Sequence, residues 1–304
     1  MKTIMQRRQF LQSAGAAALG GAGLAVSGEA ANPAPSPEGN APRLFSGCCA
    51  YSFRKALASK QMSMEDFILK GVEMGLDGVD MTVYWLKSTD PAYLTGLRHL
   101  ALKNAIPFSG VGCGSSMVQG DKAKRDQVLE DIKKWIDVTD MLGASHLRVF
   151  GGKLPPGATD ERAIDWIVEI MKPACDYSGR KGITLGIEDH SGVTQSAKVC
   201  LEVMRRVDSP YAGINLDITH FVPTPGEDGY AQIAACIPYA THTHIRDVFD
   251  DQTPIDLDRV WQMFAQGGYK GYMSAEYEGK EDPATGVPKL MGKIKALCKK
   301  YSTV

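Results

Sequence analysis

The stretch TLGIEDH at residues 184–190 has the form of a buried strand that ends in reactive side chains. A short apolar run of this kind is typical of a parallel strand that is covered on both faces. Related endings occur in GINLDITH at 213–220, HTHIRD at 242–247 and SAEYE at 274–278. Four consecutive predicted strands therefore end in acids or histidines.

Short apolar runs alternate with amphipathic patterns from Arg43 onward, at intervals of roughly 25–35 residues, which is the rhythm of parallel βα units. A doubly wound sheet would carry a Gly-rich phosphate loop after an early strand, and the sequence has none. The pattern therefore predicts a single (β/α)8 TIM barrel of the α/β class. The predicted strands are residues 44–50, 78–83, 107–111, 145–150, 184–188, 212–217, 242–246 and 271–276.

Capping residues mark helix boundaries between these strands. Ser63 precedes the acidic residues Glu65 and Asp66 at a predicted helix start, and Asp90 precedes a proline that suits a first helical turn. Gly143 suits the left-handed end of a helix. Further helices are predicted at residues 127–142, 163–177, 196–207, 230–236, 256–264 and 288–301.

The first 30 residues have the character of an export signal. Lys2, Arg7 and Arg8 form a charged start, QRRQFLQ at residues 6–12 resembles a twin-arginine motif, and an Ala/Gly-rich apolar stretch covers residues 14–26. We therefore expect a twin-arginine signal peptide at this end and export of the folded protein to the periplasm. No stable membrane anchor is expected after cleavage.

The Pro-rich run at residues 31–42 predicts a linker, and the barrel is expected to span residues 43–304. Loss of residues 1–30 removes three basic and one acidic side chain from 34 and 35, which leaves a formal charge of about −3. This charge balance argues against a nucleic-acid partner.

The seven cysteines are scattered and include no Cys-x-x-Cys pair. This spacing argues against a disulfide framework and against a thiolate metal site, so buried thiols are expected. Cys48 and Cys49 are neighbours on the first predicted strand. At most one of them can face the barrel interior, because side chains alternate along a strand.

One side chain from each of four strands is placed to bind a metal, because the active sites of βα barrels lie at the C-terminal ends of the strands. Glu188 precedes Asp217 by 29 residues, Asp217 precedes His244 by 27, and His244 precedes Glu276 by 32, about one βα unit each. Three carboxylates and one imidazole suit one divalent ion, Mn²⁺, Mg²⁺, Co²⁺ or Zn²⁺. Such a cation would relieve the repulsion among three gathered acids. His242 has the strand parity of His244, and only one of the two need be a ligand.

In this order and spacing the motifs resemble those of the xylose isomerase-like barrel superfamily of sugar isomerases and epimerases. The resemblance extends from Leu44 to about Leu297 and rests on Gly78-Val79-Asp80, Glu188-Asp189-His190, Asp217-x-x-His220, His244-x-Arg246-Asp247 and Glu276. It implies that the metal ligands are Glu188, Asp217, His244 and Glu276. It also implies that His220 and Arg246 approach the substrate.

The resemblance further implies a divalent-metal-dependent sugar isomerase or epimerase that works through a metal-bound enediolate, with Glu188 and Glu276 as acid and base. Carboxylates on opposite faces of the sugar would give an epimerase, and a single face would give aldose–ketose isomerisation. Ketose epimerases of the superfamily often place an arginine several residues past the histidine of the seventh strand, where this chain has Asp250. That departure disfavours a simple ketohexose epimerase.

Two other function classes stay open on the sequence. A lyase or dehydratase acting on an oxidised 3-keto sugar or glycoside would use the same metal but expel a leaving group, and a non-catalytic barrel would only bind a sugar. The endonuclease branch of the superfamily is disfavoured, because the first three predicted strands carry no histidine and the charge does not suit DNA. The expected partner is a small-molecule sugar, and a homo-oligomer is left open.

Several further residues are candidates for the barrel mouth. Arg148 is expected to pair with an acid or with an anionic or hydroxylated substrate, and an ion pair with Asp80 is the alternative. His190 is expected to contact either the substrate or a loop carbonyl. The aromatic residues placed to stack on a sugar are Trp85, Tyr51, Phe53 and Tyr84. The acids expected to orient the ligands are Asp189, Asp247 and Glu278.

Overall fold

Eight parallel strands close into a barrel, in chain order, in this computed structural model, which describes residues 41–221 and 228–302. The predicted (β/α)8 TIM barrel is confirmed, and the boundaries of every predicted strand hold to within two residues. The strands are β1 (Arg43–Cys49), β2 (Gly78–Thr82), β3 (Phe108–Gly112), β4 (His146–Phe150), β5 (Thr184–Glu188), β6 (Ala212–Asp217), β7 (Ala240–Ile245) and β8 (Lys270–Ala275).

Nine α-helices lie within the described ranges, together with short 3₁₀ turns at Ala50–Phe53, Val83–Trp85 and Ile237–Tyr239. Each helix that the sequence pattern predicts is present. The helices are α1 (Arg54–Ala58), α2 (Met64–Glu73), α3 (Pro91–Lys103), α4 (Lys122–Leu142), α5 (Asp160–Gly179), α6 (Ala197–Val207), α7 (Gly229–Cys236), α8 (Leu257–Gln266) and α9 (Pro283–Tyr301).

The capping residues act largely as predicted. Ser63 and Asp66 form a reciprocal capping box at the start of α2, in which each side chain accepts from the other residue's backbone N–H. Gly143 ends α4 in the left-handed region, with a φ of 79°. Asp90 precedes α3 but makes no capping hydrogen bond through its side chain, so the fixed φ of Pro91 favours that start instead.

Three helices begin three to five residues earlier than the apolar pattern predicts. Their first turns are capped by Asp121, Thr159 and Asp282, whose side chains accept hydrogen bonds from the backbone of α4, α5 and α9. A polar first turn carries little apolar periodicity, so the pattern detects the helix one turn late. Pro288, predicted as the first residue of the last helix, lies instead inside α9.

The barrel closes where β1 pairs with β8, from Arg43 opposite Lys270 to Cys48 opposite Ala275. The end of the chain strengthens this seam, because the Ser302 hydroxyl donates to the Leu44 carbonyl and accepts from the Leu44 N–H. The pairing of β2 with β3 is irregular at Asp80, and that of β6 with β7 is irregular at Asn215. Such irregularities re-aim side chains, and both of these residues point towards the site described below.

Helices cover the outside of the barrel with an apolar layer, so the strands are buried on both faces. Fully buried side chains of this layer include Phe67, Leu94, Ile132, Trp261 and Phe264. The barrel interior is different, because buried acids and histidines occupy it. The fold thus gathers buried acids and histidines inside the barrel.

Among the described residues, none of the helices has both the length and the apolarity needed to cross a membrane. Residues 1–40, which include the predicted signal peptide and most of the predicted linker, lie outside the described residues. The division into signal peptide, linker and barrel therefore stays a prediction.

Candidate active site

The four predicted ligands come together at the C-terminal ends of β5 to β8. Glu188 and Asp217 are the last residues of their strands, His244 is the penultimate residue of β7, and Glu276 follows β8 directly. One donor atom from each of the four lies within 4.8 Å of the others, and all four side chains are buried. The spacing of one βα unit between successive residues is what brings them to one place.

His244 is held so that one ring nitrogen faces this cluster. Its Nε2 lies 2.9 Å from Asp80 Oδ2, while its Nδ1 lies 2.6 Å from Glu188 Oε1 and 3.4 Å from Glu276 Oε1. His244 thus joins Asp80 on one side of its ring to Glu188 and Glu276 on the other. Donor atoms that converge in this way could hold a cation between them.

Asp80 belongs to the candidate site through a contact with His244 that the sequence analysis missed. A carboxylate on the far nitrogen of a ligand histidine fixes the tautomer and the ring orientation. Asp80 has the inward-facing parity of β2, and that parity was the available indication of its role. His242 and His244 hold the pKa of Asp80 at about 2 although burial alone would raise it.

Glu188 is fixed by neighbours on both adjoining strands. The Asn215 amide donates to Glu188 Oε1 at 3.1 Å, and Arg148 Nη1 lies 3.6 Å from Oε2. Arg148 therefore pairs with an acid of the cluster, and the alternative ion pair with Asp80 was wrong. Although burial opposes ionisation, Arg148 and His244 lower the pKa of Glu188. The residue is thus held ionised.

Asp217 is oriented by three neighbours. Thr219 donates to Asp217 Oδ1 from its backbone at 2.9 Å and from its hydroxyl at 2.5 Å, and Asp189 accepts from the Asp217 N–H at 2.7 Å. Arg246 Nη2 lies 3.3 Å from Asp217 Oδ2. Asp189 therefore anchors the backbone of Asp217, one of the four clustered residues.

Arg246 is surrounded by acids at the rim of the cluster. Besides Asp217, it contacts Glu278 at 3.0 Å, Asp250 at 3.4 Å and the hydroxyl of Thr219. Glu278 thus contacts Arg246 and not one of the four clustered residues directly. Asp247 points elsewhere and pairs with Lys293 at 2.9 Å, so the prediction that it orients a ligand was wrong.

His220 lies over Asp217 and is clamped between two acids. Its Nε2 is 3.3 Å from Asp217 Oδ2, and its Nδ1 is 2.8 Å from Asp250 Oδ2. Burial opposes protonation, but these carboxylates raise the pKa of His220 to about 11. Asp250, noted on the sequence only as a departure from the superfamily, is therefore the partner that holds His220.

The electrostatics of the cluster fit a cation. Burial, together with Glu188 and Asp217, raises the pKa of Glu276 to about 7 even though His244 acts in the opposite direction. Burial disfavours charge on His244, yet Glu276 and Glu188 raise its pKa well above the ordinary value. The cluster therefore stabilises positive charge at the point that Nδ1 faces, and its donor set of three carboxylates and one imidazole suits a divalent ion.

The remaining predicted site residues divide between the mouth and the core. Trp85 is half-buried next to Tyr51 and Tyr84, with ring centroids 6.0 and 5.8 Å away, so these three form one aromatic group. Phe53 is buried and packs on Phe67 at 6.1 Å. Phe53 therefore belongs to the core, and its predicted place in the sugar wall was wrong.

His190 lies beside His220, with ring centroids 4.8 Å apart, and its Nδ1 is 3.0 Å from the Ser191 hydroxyl. His242 stacks on His146 in the barrel interior at 5.0 Å and contacts the Ser109 hydroxyl at 3.2 Å. His242 is accordingly a packed polar residue, whereas His244 faces the cluster. All seven cysteines are free and buried, as predicted.

The family described as "Xylose isomerase-like TIM barrel" matches residues 69–297 of this chain. The chain belongs to this family. No curated protein sequence matches it.

Solved structures similar to this xylose isomerase-like barrel include two sugar epimerases and a zinc-containing protein. The IOLI protein with a binding zinc atom is 15% identical, with a TM-score of 0.70 over 86% of this chain and 100% of that chain. The 3-keto-D-glucoside 4-epimerase YcjR from E. coli is 15% identical, with a TM-score of 0.64 over 84% and 99%. D-Allulose 3-epimerase from Methylomonas sp. is 18% identical, with a TM-score of 0.67 over 86% and 98%. At these identities the likeness concerns the fold.

Proposed function

We propose that this protein is a divalent-metal-dependent sugar isomerase or epimerase that moves a proton at a carbon next to a carbonyl. The observation that carries the proposal is the convergence of Glu188, Asp217, His244 and Glu276 on one point at the mouth of the barrel. The named epimerases among the similar folds, and the zinc in another of them, agree with it.

The four side chains would hold the ion, and Asp80 would keep His244 in the tautomer whose Nδ1 is free to bind. A bound divalent cation supplies Lewis acidity, which polarises a carbonyl and acidifies the neighbouring C–H. Mn²⁺, Mg²⁺, Co²⁺ and Zn²⁺ are all compatible with this donor set.

Glu188 and Glu276 are the proton carriers in this proposal. Their surroundings push the two pKa values apart. Arg148 and His244 lower the pKa of Glu188 against the effect of burial. Burial and the nearby acids raise the pKa of Glu276 to about 7. A carboxyl group that titrates near neutral pH can both give and take a proton, which is the requirement for acid and base catalysis.

His220, Arg246 and Arg148 would bind oxygens of the sugar. Asp217 and Asp250 keep His220 protonated, so its ring can donate to a substrate hydroxyl. Arg246 is held by Asp217, Asp250 and Glu278, which fixes its position at the rim. On the opposite side, Trp85 and its aromatic neighbours offer a surface for the C–H face of a sugar, and His190 lies beside His220.

The direct test is exchange of a substrate C–H in D₂O. The metal-loaded protein is incubated with free ketoses, aldoses and 3-keto-glycosides, and deuterium is located by mass spectrometry and NMR. We expect deuterium at one sugar carbon, and a loss of about 100-fold or more in the exchange rate for Glu188→Gln and Glu276→Gln. Glu281→Gln is the matched control, because Glu281 is exposed and pairs with Lys289 away from the site.

Two outcomes would contradict the proposal and replace it. Release of a free leaving group from a 3-keto-glycoside would make the protein a lyase. Saturable sugar binding without deuterium exchange would leave a sugar-binding barrel.

A further inference from the structure

Cys49 occupies the ligand level of the barrel on a strand that contributes none of the four ligands discussed above. It is the last residue of β1, it pairs with Asp80 on β2, and Cys48 before it pairs with Ala275, the residue before Glu276. Cys49 therefore lies between the acid that holds His244 and one of the proposed ligands. Its side chain is 1% exposed.

The thiol of Cys49 faces the cluster. Its Sγ lies 3.8 Å from Glu276 Oε1 and 3.7 Å from the Thr82 hydroxyl. Donor atoms of Cys49, His244 and Glu276 lie within 4.8 Å of one another. Two of these three residues also belong to the four-residue cluster, so the sulfur borders that cluster on the side of His244 and Glu276.

Cys48 shows that this placement is specific to one of the two neighbouring cysteines. It is also fully buried, but its Sγ contacts the backbone carbonyl of Cys49 at 3.6 Å. Alternation along β1 sends the two side chains to opposite faces. Cys48 therefore packs outside the barrel, whereas Cys49 faces the interior.

We propose that Cys49 adds a sulfur donor to the metal site and biases it towards zinc or cobalt over magnesium. The inference rests on the proposed metal-dependent function. Thiolate is a soft ligand that favours Zn²⁺ and Co²⁺, whereas a site of oxygen and imidazole donors alone accepts Mg²⁺ or Mn²⁺ more readily. Formation of the metal–sulfur bond breaks the S–H bond and releases the proton to solvent.

Cobalt spectroscopy tests this directly, because a thiolate bound to Co²⁺ gives a near-ultraviolet charge-transfer band that nitrogen and oxygen ligands do not. We expect this band in the cobalt-loaded protein and in Cys48→Ser, the matched control. Cys49→Ser and Cys49→Ala should lose the band but keep the weaker visible bands of bound cobalt. When zinc and magnesium compete for the site, the ratio of zinc affinity to magnesium affinity should fall about tenfold or more in both Cys49 variants.

Two results would overturn the inference, and they differ in what else they affect. Stoichiometric cobalt in the parent protein without the charge-transfer band would remove Cys49 from the site and leave the proposed metal function intact. No cobalt binding by the parent protein, with the fold confirmed by circular dichroism, would reject both proposals.

Discussion

At the scale of single residues, Asp80 determines how the proposed ligand His244 is presented. The 2.9 Å contact to Nε2 leaves Nδ1 towards Glu188 and Glu276. Outer carboxylates of this kind contribute strongly to metal affinity in proteins. The sequence motif Gly78-Val79-Asp80 was recognised, but the contact of Asp80 with His244, 164 residues away, could not be predicted from it.

We predict that Asp80→Asn weakens metal affinity by about 10 to 100-fold. The neutral amide of asparagine lacks the negative charge with which Asp80 stabilises the tautomer of His244 that carries its proton on Nε2. Chelator competition measures the affinity. Asp77→Asn is the control. Asp77 directly precedes the N-terminal end of β2, and it accepts hydrogen bonds from Ser46. Equal affinities of Asp80→Asn and the parent protein would contradict this role.

His146 gives a prediction on pH dependence. Burial, with a contribution from His242, holds the pKa of His146 well below its ordinary value. As pH falls below about 6.5 the unfolded chain takes up a proton that the folded chain does not, so the free energy of unfolding decreases. The limiting slope for this one group is about 1.4 kcal/mol per pH unit.

Urea unfolding of the metal-free protein between pH 7.5 and 5 measures this dependence. His146→Gln should have a shallower decline towards low pH, and His99→Gln, which changes an exposed histidine of α3, should keep that of the parent protein. An unchanged slope in His146→Gln would show that His146 does not stay neutral in the barrel.

At the scale of elements, the strands were predicted well because each is a short apolar run with a polar end. The convergence of the four clustered residues was predicted because they lie at the ends of such runs. Helix starts were predicted less well, since capped polar turns such as that of Asp121 lack apolar periodicity. Contacts between distant strands could not be read from the sequence. The clamp of Asp250 on His220 and that of Asn215 on Glu188 depend on barrel closure and on a register irregularity in the pairing of β6 with β7.

Glycines on the strands make room for the buried histidines, and this gives a prediction for β5. A Cβ on Gly186 would lie 2.4 Å from His146 Nε2 and 3.1 Å from the Asn215 N. We expect Gly186→Ala to reduce the free energy of unfolding by about 1–3 kcal/mol. Gly96→Ala, in α3 with nothing within 4 Å of the new Cβ, should be neutral or gain up to about 1 kcal/mol.

Chemical denaturation of the two variants measures the difference. A Gly186→Ala variant as stable as the Gly96→Ala variant would mean that the interior histidines are not tightly packed.

At the scale of the whole molecule, the four proposed ligands tie together four consecutive strands. A metal that binds only the folded state at 100 times its Kd should stabilise the barrel by about 2.7 kcal/mol. We therefore expect Zn²⁺ or Mn²⁺ to raise the Tm and a chelator to reverse the effect. An Asp217→Asn and Glu276→Gln double variant should show a much smaller shift. A shift as large as that of the parent protein would place the stabilising metal elsewhere.

Export through the twin-arginine route is a proposal that rests on the sequence of residues 6–12. Replacing Arg7 and Arg8 together by lysine should retain the protein in the cytoplasm, whereas Lys2→Gln should leave export unchanged. Cell fractionation with immunoblotting measures the distribution. Normal export of the double lysine variant would reject this route.

The most direct test of the account is a crystal structure of the protein grown with Mn²⁺ or Zn²⁺, with data collected at the absorption edge of the metal. The account predicts one strong anomalous peak surrounded by Glu188, Asp217, His244 and Glu276, and no such peak in a Glu276→Gln and Asp217→Asn variant. The account would be contradicted if crystals of the parent protein showed the anomalous peak of the metal at another place and none at this cluster.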